Sequence, residues 1–172
     1  MRAVFFDRDG TLMEDVHYCS EPANVRVFAG VPEALARLKQ AGFAVIVISN
    51  QAGIGRGLFS DAQYHAVQAE FLRQAGGFID ASYYCPDAPG QPSACRKPEP
   101  GMVLRAAAEH SIDLAQSFFV GDKSIDVECG RRAGTRTILV QTGYGAGEAC
   151  EADFVCADSV EAVNVILDAA NL

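Results

Sequence analysis

No stretch of this chain comes near the roughly 18 consecutive apolar residues that a membrane-spanning helix needs. The N-terminal apolar run is broken at Asp7-Arg8-Asp9 before it could serve as a signal peptide, so a cytoplasmic protein with no membrane partner is expected. Cations are scarce. The 14 Lys and Arg against 22 Asp and Glu give a net charge of −8, which argues against nucleic acid or an anionic membrane surface as a partner. A cysteine framework is also missing. The six cysteines, at 19, 85, 95, 129, 150 and 156, follow no short repeated spacing. A chain of 172 residues builds a core without disulfides, so most of them read as reduced, buried, small apolar residues. The three histidines, His17, His65 and His110, show no metal-ligand spacing. Internal repeats, low-complexity tracts and interdomain linkers are absent too, and residues 1–172 read as a single domain, expected to be a monomer.

What is present is a regular alternation. Short β-rich apolar runs at Ala3–Phe6, Ala44–Ser49, Ser82–Cys85, Phe118–Gly121, Thr137–Val140 and Phe154–Cys156 alternate with helical patterns. The helices are expected at Pro32–Ala41, Asp61–Gln74, Pro100–His110, Ile125–Ala133 and Val160–Ala170, two of them opened by proline. This order predicts an α/β fold, a doubly wound parallel sheet with helices on both faces. Ligands of such sheets bind outside the carboxyl ends of the strands, which directs attention to the loops that follow them.

Those loops carry the chemistry. Asp7 and Asp9, at i and i+2 on an extended chain, put two carboxylates on one side. Such a pair can bind a hard divalent cation, or divide labour as an ionised nucleophile and a protonated acid. Ser49-Asn50 brings a hydroxyl, an amide and backbone N–H groups to the same rim. Arg96-Lys97 places two cations in the one long irregular segment, rich in proline and glycine. Gly121-Asp122-Lys123, with Asp126, ends the fourth strand with further carboxylates and a cation. Each has a plainer reading when taken alone: an acidic turn, a helix cap, a solvated basic pair. GIGRG at 53–57 lacks the context of a dinucleotide fingerprint and does not support a nicotinamide site.

Taken together, in this order and each at the end of a strand, the motifs are specific. The pattern hhhhDxDGT, hhhS-N, a lone lysine and hhhGDxxxD resembles the haloacid dehalogenase superfamily of phosphohydrolases nearly from end to end. FFDRDGTL, Tyr18, SNQAGIGRGLF, YYCP, CRKPEPGM and VGDKSID further resemble the D-glycero-D-manno-heptose 1,7-bisphosphate 7-phosphatases and their relatives, the histidinol-phosphate phosphatases. NQxGIxRG favours the heptose branch. The resemblance implies a magnesium-dependent phosphomonoester hydrolase with a Rossmannoid core, working through a phosphate ester on Asp7. Asp9 would be general acid and base, and Ser49 and Lys97 would stabilise the phosphoryl group. Magnesium would be held by Asp7, Asp122 and the main chain of Asp9. Asp15, His17, Tyr18, Asn50, Gln51, Ala52, Arg56, Arg96 and Lys123 would bind a small phosphorylated sugar. On the heptose branch the product feeds nucleotide-activated heptose for bacterial lipopolysaccharide.

The chain departs from that family in one place. Where relatives hold a structural zinc with cysteines and a histidine, it has Cys85, Asp87, Ser93 and Cys95. Only Cys85 and Cys95 are kept, a poor donor set for zinc, so no tightly bound zinc is expected. The segments between Gly10, Ser49 and Lys97 hold core elements but no room for a large cap domain, so an open site is expected. Two rivals stand beside the heptose reading. One is a phosphatase for histidinol phosphate or another small polyol phosphate. The other is a phospho-aspartate signalling receiver, disfavoured because its acceptor lies on a middle strand while the DxDGT pair here follows the first.

Overall fold

The first strand, β1 (Ala3–Phe6), is apolar on both sides, with Val4 and Phe6 in one core and Ala3 and Phe5 in the other. A parallel sheet covered by helices on both faces requires strands of this kind. β2 (Ala44–Asn50) repeats the parity: Val45 and Val47 join the first core, and Ala44, Ile46 and Ile48 join the second. β3 (Ala81–Cys85), β4 (Phe118–Gly121), β5 (Arg136–Val140) and β6 (Phe154–Cys156) complete a six-stranded sheet in the order β3-β2-β1-β4-β5-β6. Every pairing is parallel. The computed structural model describes residues 1–170.

Six helices accompany the strands: α1 (Val31–Gln40), α2 (Ala52–Gly55), α3 (Asp61–Gln74), α4 (Gly101–His110), α5 (Ser124–Ala133) and α6 (Ser159–Ala170). α1, α3 and α6 bury Leu35, Leu38, Val67, Phe71, Val163 and Ile166 against the Val4 side of the sheet. α4 and α5 bury Met102, Val103, Ala106, Cys129 and Ala133 against the Phe5 side. Local chemistry sets several ends. Ser60 and Gln63 form a reciprocal capping box at the start of α3, which satisfies two otherwise orphaned donors. Pro32 lies in the first turn of α1, where its missing N–H costs nothing.

Every strand and helix that the sequence predicts is present, with ends displaced by a residue or so. The single turn of α2 and the 3-10 turns at Pro22–Asn24, Leu114–Gln116 and Gly145–Gly147 are not predicted, because elements this short show no hydrophobic period. Among the described residues no separate cap domain is present, and no helix is long and apolar enough to cross a membrane. The strand order reverses at β1, with β2 on one side and β4 on the other. A crevice therefore opens at the carboxyl ends of β1 and β4, where the two halves of the sheet diverge.

Leu38 is fully buried between α1 and the sheet and far in sequence from every loop of that crevice. We expect Leu38→Ala to lose about 2–5 kcal/mol of stability through lost burial and the cavity left behind. Urea unfolding would measure this, and turnover below the unfolding range should stay near that of the parent.

Candidate active site

Asp7 is the first residue beyond β1, and its N–H donates to the carbonyl of Val120 in β4 at 2.9 Å. Its Oδ1 accepts a hydrogen bond of 2.7 Å from Lys97 Nζ. Lys97 is buried, and its ammonium also donates to the Ile48 carbonyl in β2 at 2.9 Å and lies 2.7 Å from Asp126 Oδ1 in α5. Asn50 clamps the lysine's backbone from both sides: its Oδ1 accepts from Lys97 N at 2.9 Å, and its Nδ2 donates to the Lys97 carbonyl at 3.2 Å. One residue of an irregular loop is thereby tied to β1, β2 and α5 at once.

Asp122 completes an acidic cluster. Oxygens of Asp7, Asp122 and Asp126, all buried, lie within 4.8 Å of one another. Asp122 is oriented by Thr11 Oγ1, which donates to its Oδ1 at 3.2 Å, and by the Tyr144 N–H, which donates to Oδ2 at 2.9 Å. Gly10 and Gly143 make room for it, since a Cβ on either would come within 2.4 or 2.2 Å of Asp122 Oδ2. Gly10 also has φ +88°, a conformation that side chains resist.

The electrostatics point to a cation. Three carboxylates beside one ammonium leave two uncompensated negative charges in a buried space. Burial, and after it the charge of Asp7, pushes Asp122 up to about 8. Burial raises Asp126 to about 6 although Lys97 pulls it down. Burial disfavours the Lys97 ammonium, yet Asp126 and Asp7 outweigh it and hold the lysine above its usual range. Asp126 Oδ1 is buried and has no aligned hydrogen-bond donor, being paired to Lys97 by charge alone. A hard, oxygen-seeking divalent ion such as magnesium fits this donor set.

Asp9 stands apart. Its carboxylate is held by Arg8, through Nε at 3.0 Å and Nη2 at 3.3 Å, and by Gln51 Nε2 at 3.1 Å. It does not join the acidic cluster, so any part of Asp9 in holding a metal falls to its main chain, and Asp126 is the third carboxylate instead. Arg8 is itself buried, bonded to Gln68 and lying over the Tyr64 ring. Ser49 Oγ, buried at the end of β2, accepts from Gln51 Nε2 at 2.6 Å.

Asp9 borders a cavity of about 190 Å³. Asp15, His17, Tyr18, Asn50, Gln51, Ala52, Arg96 and Lys123 line it, as does Tyr144, which no motif had singled out. Arg56 is not on the wall; its guanidinium sits 5.9 Å from the Tyr18 ring centroid. Burial and then the charge of Arg56 lower Arg96. His17 and Tyr18 both adopt left-handed backbone conformations, in a turn where Asp15 Oδ1 accepts the His17 N–H at 2.9 Å. Lys123 Nζ lies 4.7 Å from the Tyr144 ring centroid and 3.9 Å from Asp15.

Cys85 and Cys95 are joined by a disulfide, while Cys19, Cys129, Cys150 and Cys156 are free. Asp87 and Ser93 meet the same spot, with Ser93 Oγ donating to Asp87 Oδ2 at 2.6 Å. Two bonded sulfurs, a carboxylate and a hydroxyl offer no thiolate, and this donor set does not fit a structural zinc.

Known proteins resemble this chain over most of its length. The HAD-hydrolase-like family model matches residues 94–163. The D-glycero-D-manno-heptose-1,7-bisphosphate 7-phosphatase of Chlorobaculum tepidum is 38% identical over 175 aligned positions, covering 92% of this chain and 88% of that protein. The chain belongs to the haloacid dehalogenase-like phosphatases, in the family of the heptose-bisphosphate phosphatases. D-glycero-beta-D-manno-heptose-1,7-bisphosphate 7-phosphatase of Escherichia coli K12 is 40% identical, covering 82% of this chain and 80% of that one. The crystal structure of D,D-heptose 1,7-bisphosphate phosphatase from B. bronchiseptica, complexed with magnesium and phosphate, superposes with a TM-score of 0.91. It is 35% identical and covers 99% of this chain and 100% of that one.

The raised carboxyls have a consequence for stability. Both Asp122 and Asp126 have folded values above the ordinary 3.8, so the folded state binds protons that the unfolded chain releases. Their contribution is complete below about pH 4 and lost as pH rises through about 6 and about 8. Magnesium, which favours the ionised carboxylates, should therefore raise the unfolding temperature of metal-stripped protein more at about pH 8.5 than at about pH 5. Equal gains at the two pH values in calorimetry would contradict this account of the cluster.

Proposed function

We propose that this phosphatase removes the 7-phosphate of D-glycero-D-manno-heptose 1,7-bisphosphate through a phosphate ester on Asp7. The observation that carries the reading is the Lys97 ammonium shared between Asp7 and Asp126 at the strand switch, with Asp9, two residues on, bordering a cavity that Arg96 and Lys123 also line. A bisphosphate has two anionic ends, and this site has two places for them.

Asp7 attacks phosphorus in line with the leaving alkoxide, and Lys97 orients it through a buried hydrogen bond. Asp9, fixed by Arg8 and Gln51 at the edge of the cavity, gives a proton to the departing oxygen. It then takes one from the water that hydrolyses the ester on Asp7, so a single residue serves both half reactions. Ser49 accepts from Gln51 and has its own hydroxyl proton for a phosphoryl oxygen, beside the charge of Lys97. Asp7, Asp122 and the main chain of Asp9 would hold magnesium, with Asp126 behind them. When bound, the ion supplies positive charge against the phosphoryl oxygens. Arg96, Lys123 and the Asp15–Tyr18 turn hold the sugar and its second phosphate.

The test is phosphate release, in magnesium, from the heptose bisphosphate, histidinol phosphate and a panel of sugar phosphates. Selective release from the heptose bisphosphate is the expected result; a flat profile, or one favouring another substrate, would reject the heptose assignment. Asp7→Asn should remove turnover, by at least about a thousandfold for a nucleophile, while the unfolding transition persists. Near-normal rates in that variant would reject the phosphate ester on Asp7.

A further inference from the structure

We propose that the Cys85–Cys95 bond, together with Asp87 and Ser93, is a positioning device for Arg96 that sets substrate affinity without setting the rate of the chemical step. The inference rests on the reading of Arg96 as a substrate contact and extends it to the residues behind that contact.

Four side chains converge directly before Arg96. Ser93 Oγ lies 3.5 Å from Cys85 Sγ and 3.4 Å from Cys95 Sγ, donates to Asp87 Oδ2 at 2.6 Å, and accepts the Arg96 N–H at 3.0 Å. The guanidinium then reaches back, Nη1 donating to the Asp87 carbonyl at 3.2 Å. Both the backbone and the side chain of Arg96 are thus fastened to the loop that the disulfide closes. Cys85 anchors that loop to β3, and Cys95 is the residue next to Arg96.

Lys97 does not depend on the loop. Its backbone is clamped by Asn50 and its ammonium by Asp7, Asp126 and the Ile48 carbonyl, all belonging to other elements. Opening the disulfide should therefore loosen Arg96 and leave the reacting groups in place. The two sulfurs also differ in access. Cys85 is fully buried, whereas Cys95 borders an outer cavity with Tyr83, Met102 and Arg105. A thiolate arriving from outside attacks Cys95 Sγ and releases Cys85 as the leaving sulfur, which takes a proton from solvent. With a dithiol, its second thiolate then breaks the mixed disulfide. Two electrons and two protons pass to the cysteines, and the dithiol closes to its own disulfide.

The test begins with thiol titration of denatured, unreduced protein, where four free thiols are expected and six would overturn the proposal. Steady-state kinetics follow with the heptose bisphosphate and with p-nitrophenyl phosphate, in magnesium, before and after dithiothreitol. Reduction should raise KM for the bisphosphate by about tenfold, the equivalent of one lost charge-assisted hydrogen bond, with kcat changed less than about twofold. Cys95→Ser should reproduce the reduced values and ignore dithiothreitol. In Arg96→Ala, reduction should no longer move KM. A parallel fall of kcat and kcat/KM, a KM shift that persists in Arg96→Ala, or recovery of the low KM by added zinc would each overturn it. If the oxidised protein cleaves p-nitrophenyl phosphate but not the heptose bisphosphate, the substrate reading fails and the positioning role falls with it. Normal heptose cleavage with an unmoved KM overturns the positioning role alone.

Discussion

The site depends on one buried ammonium. Lys97 sits 2.7 Å from Asp7 and 2.7 Å from Asp126, in a space from which water is nearly excluded. Even at an effective dielectric of about 20, opposite charges about 4 Å apart interact by about 4 kcal/mol, and leaving one member of a buried pair alone costs about 3–5 kcal/mol. That charge pulls Asp126 down against its burial, yet Asp122 and Asp126 both stay above the ordinary carboxyl value. The remaining negative charge is relieved by protons or by a bound cation. The same lysine fixes architecture, because its partners come from β1, β2 and α5. It joins the two halves of the sheet where their order reverses.

Asp9 shows how a second carboxylate two residues away acquires a different task. Asp7 faces Lys97 and the acidic cluster, whereas Asp9 faces Arg8 and Gln51 at the cavity. Arg8 can be buried because every side of its guanidinium has a partner: Asp9, the Gln68 amide and the Tyr64 ring. Gln68 in turn donates to Ser82 of β3. Asp9 is thus supported by α3 and β3, and Asp7 by β2 and α5. The two carboxylates are held by different parts of the fold, so their positions can be set independently.

The strands and helices were legible because each carries a local signal, the two-sided apolar run of a buried strand or the apolar stripe of a helix. Asp7 and Asp122 were legible because each directly follows a strand and Ser49 because it sits at the end of β2's apolar run, whereas Lys97, in an irregular loop, was legible through the motif that resembles the family. Asp126 was read as an accompaniment to Asp122, since its spacing is that of a helix cap, and it does accept the Lys123 N–H at 3.1 Å. That its other oxygen meets Lys97 depends on a contact spanning 29 residues, which no local pattern encodes. Tyr144 was invisible for a related reason. It follows β5, and it reaches the cavity only because β5 pairs with β4 and the Gly143 turn passes over Asp122. Two cysteines ten residues apart are too common to imply a bond, and the pairing of Cys85 with Cys95 emerged only when β3 and the returning loop were brought together.

A net charge of −8 sets this protein against an anionic substrate at long range, and the distribution of its few cations resolves the conflict. At physiological ionic strength charges are screened beyond about 8 Å, so the acidic surface weakens over the distance of approach while contacts inside the cavity do not. Lys97 is paired with Asp7, Arg96 and Lys123 line the cavity, and Arg56 lies over the Tyr18 ring. With no separate cap domain among the described residues, the discrimination that a lid would provide has to come from these loops. Their rigidity then matters as much as their charge. A cation on a loose loop attracts any phosphate, whereas one held by its backbone and its guanidinium selects the phosphate that arrives at the right distance from the other end.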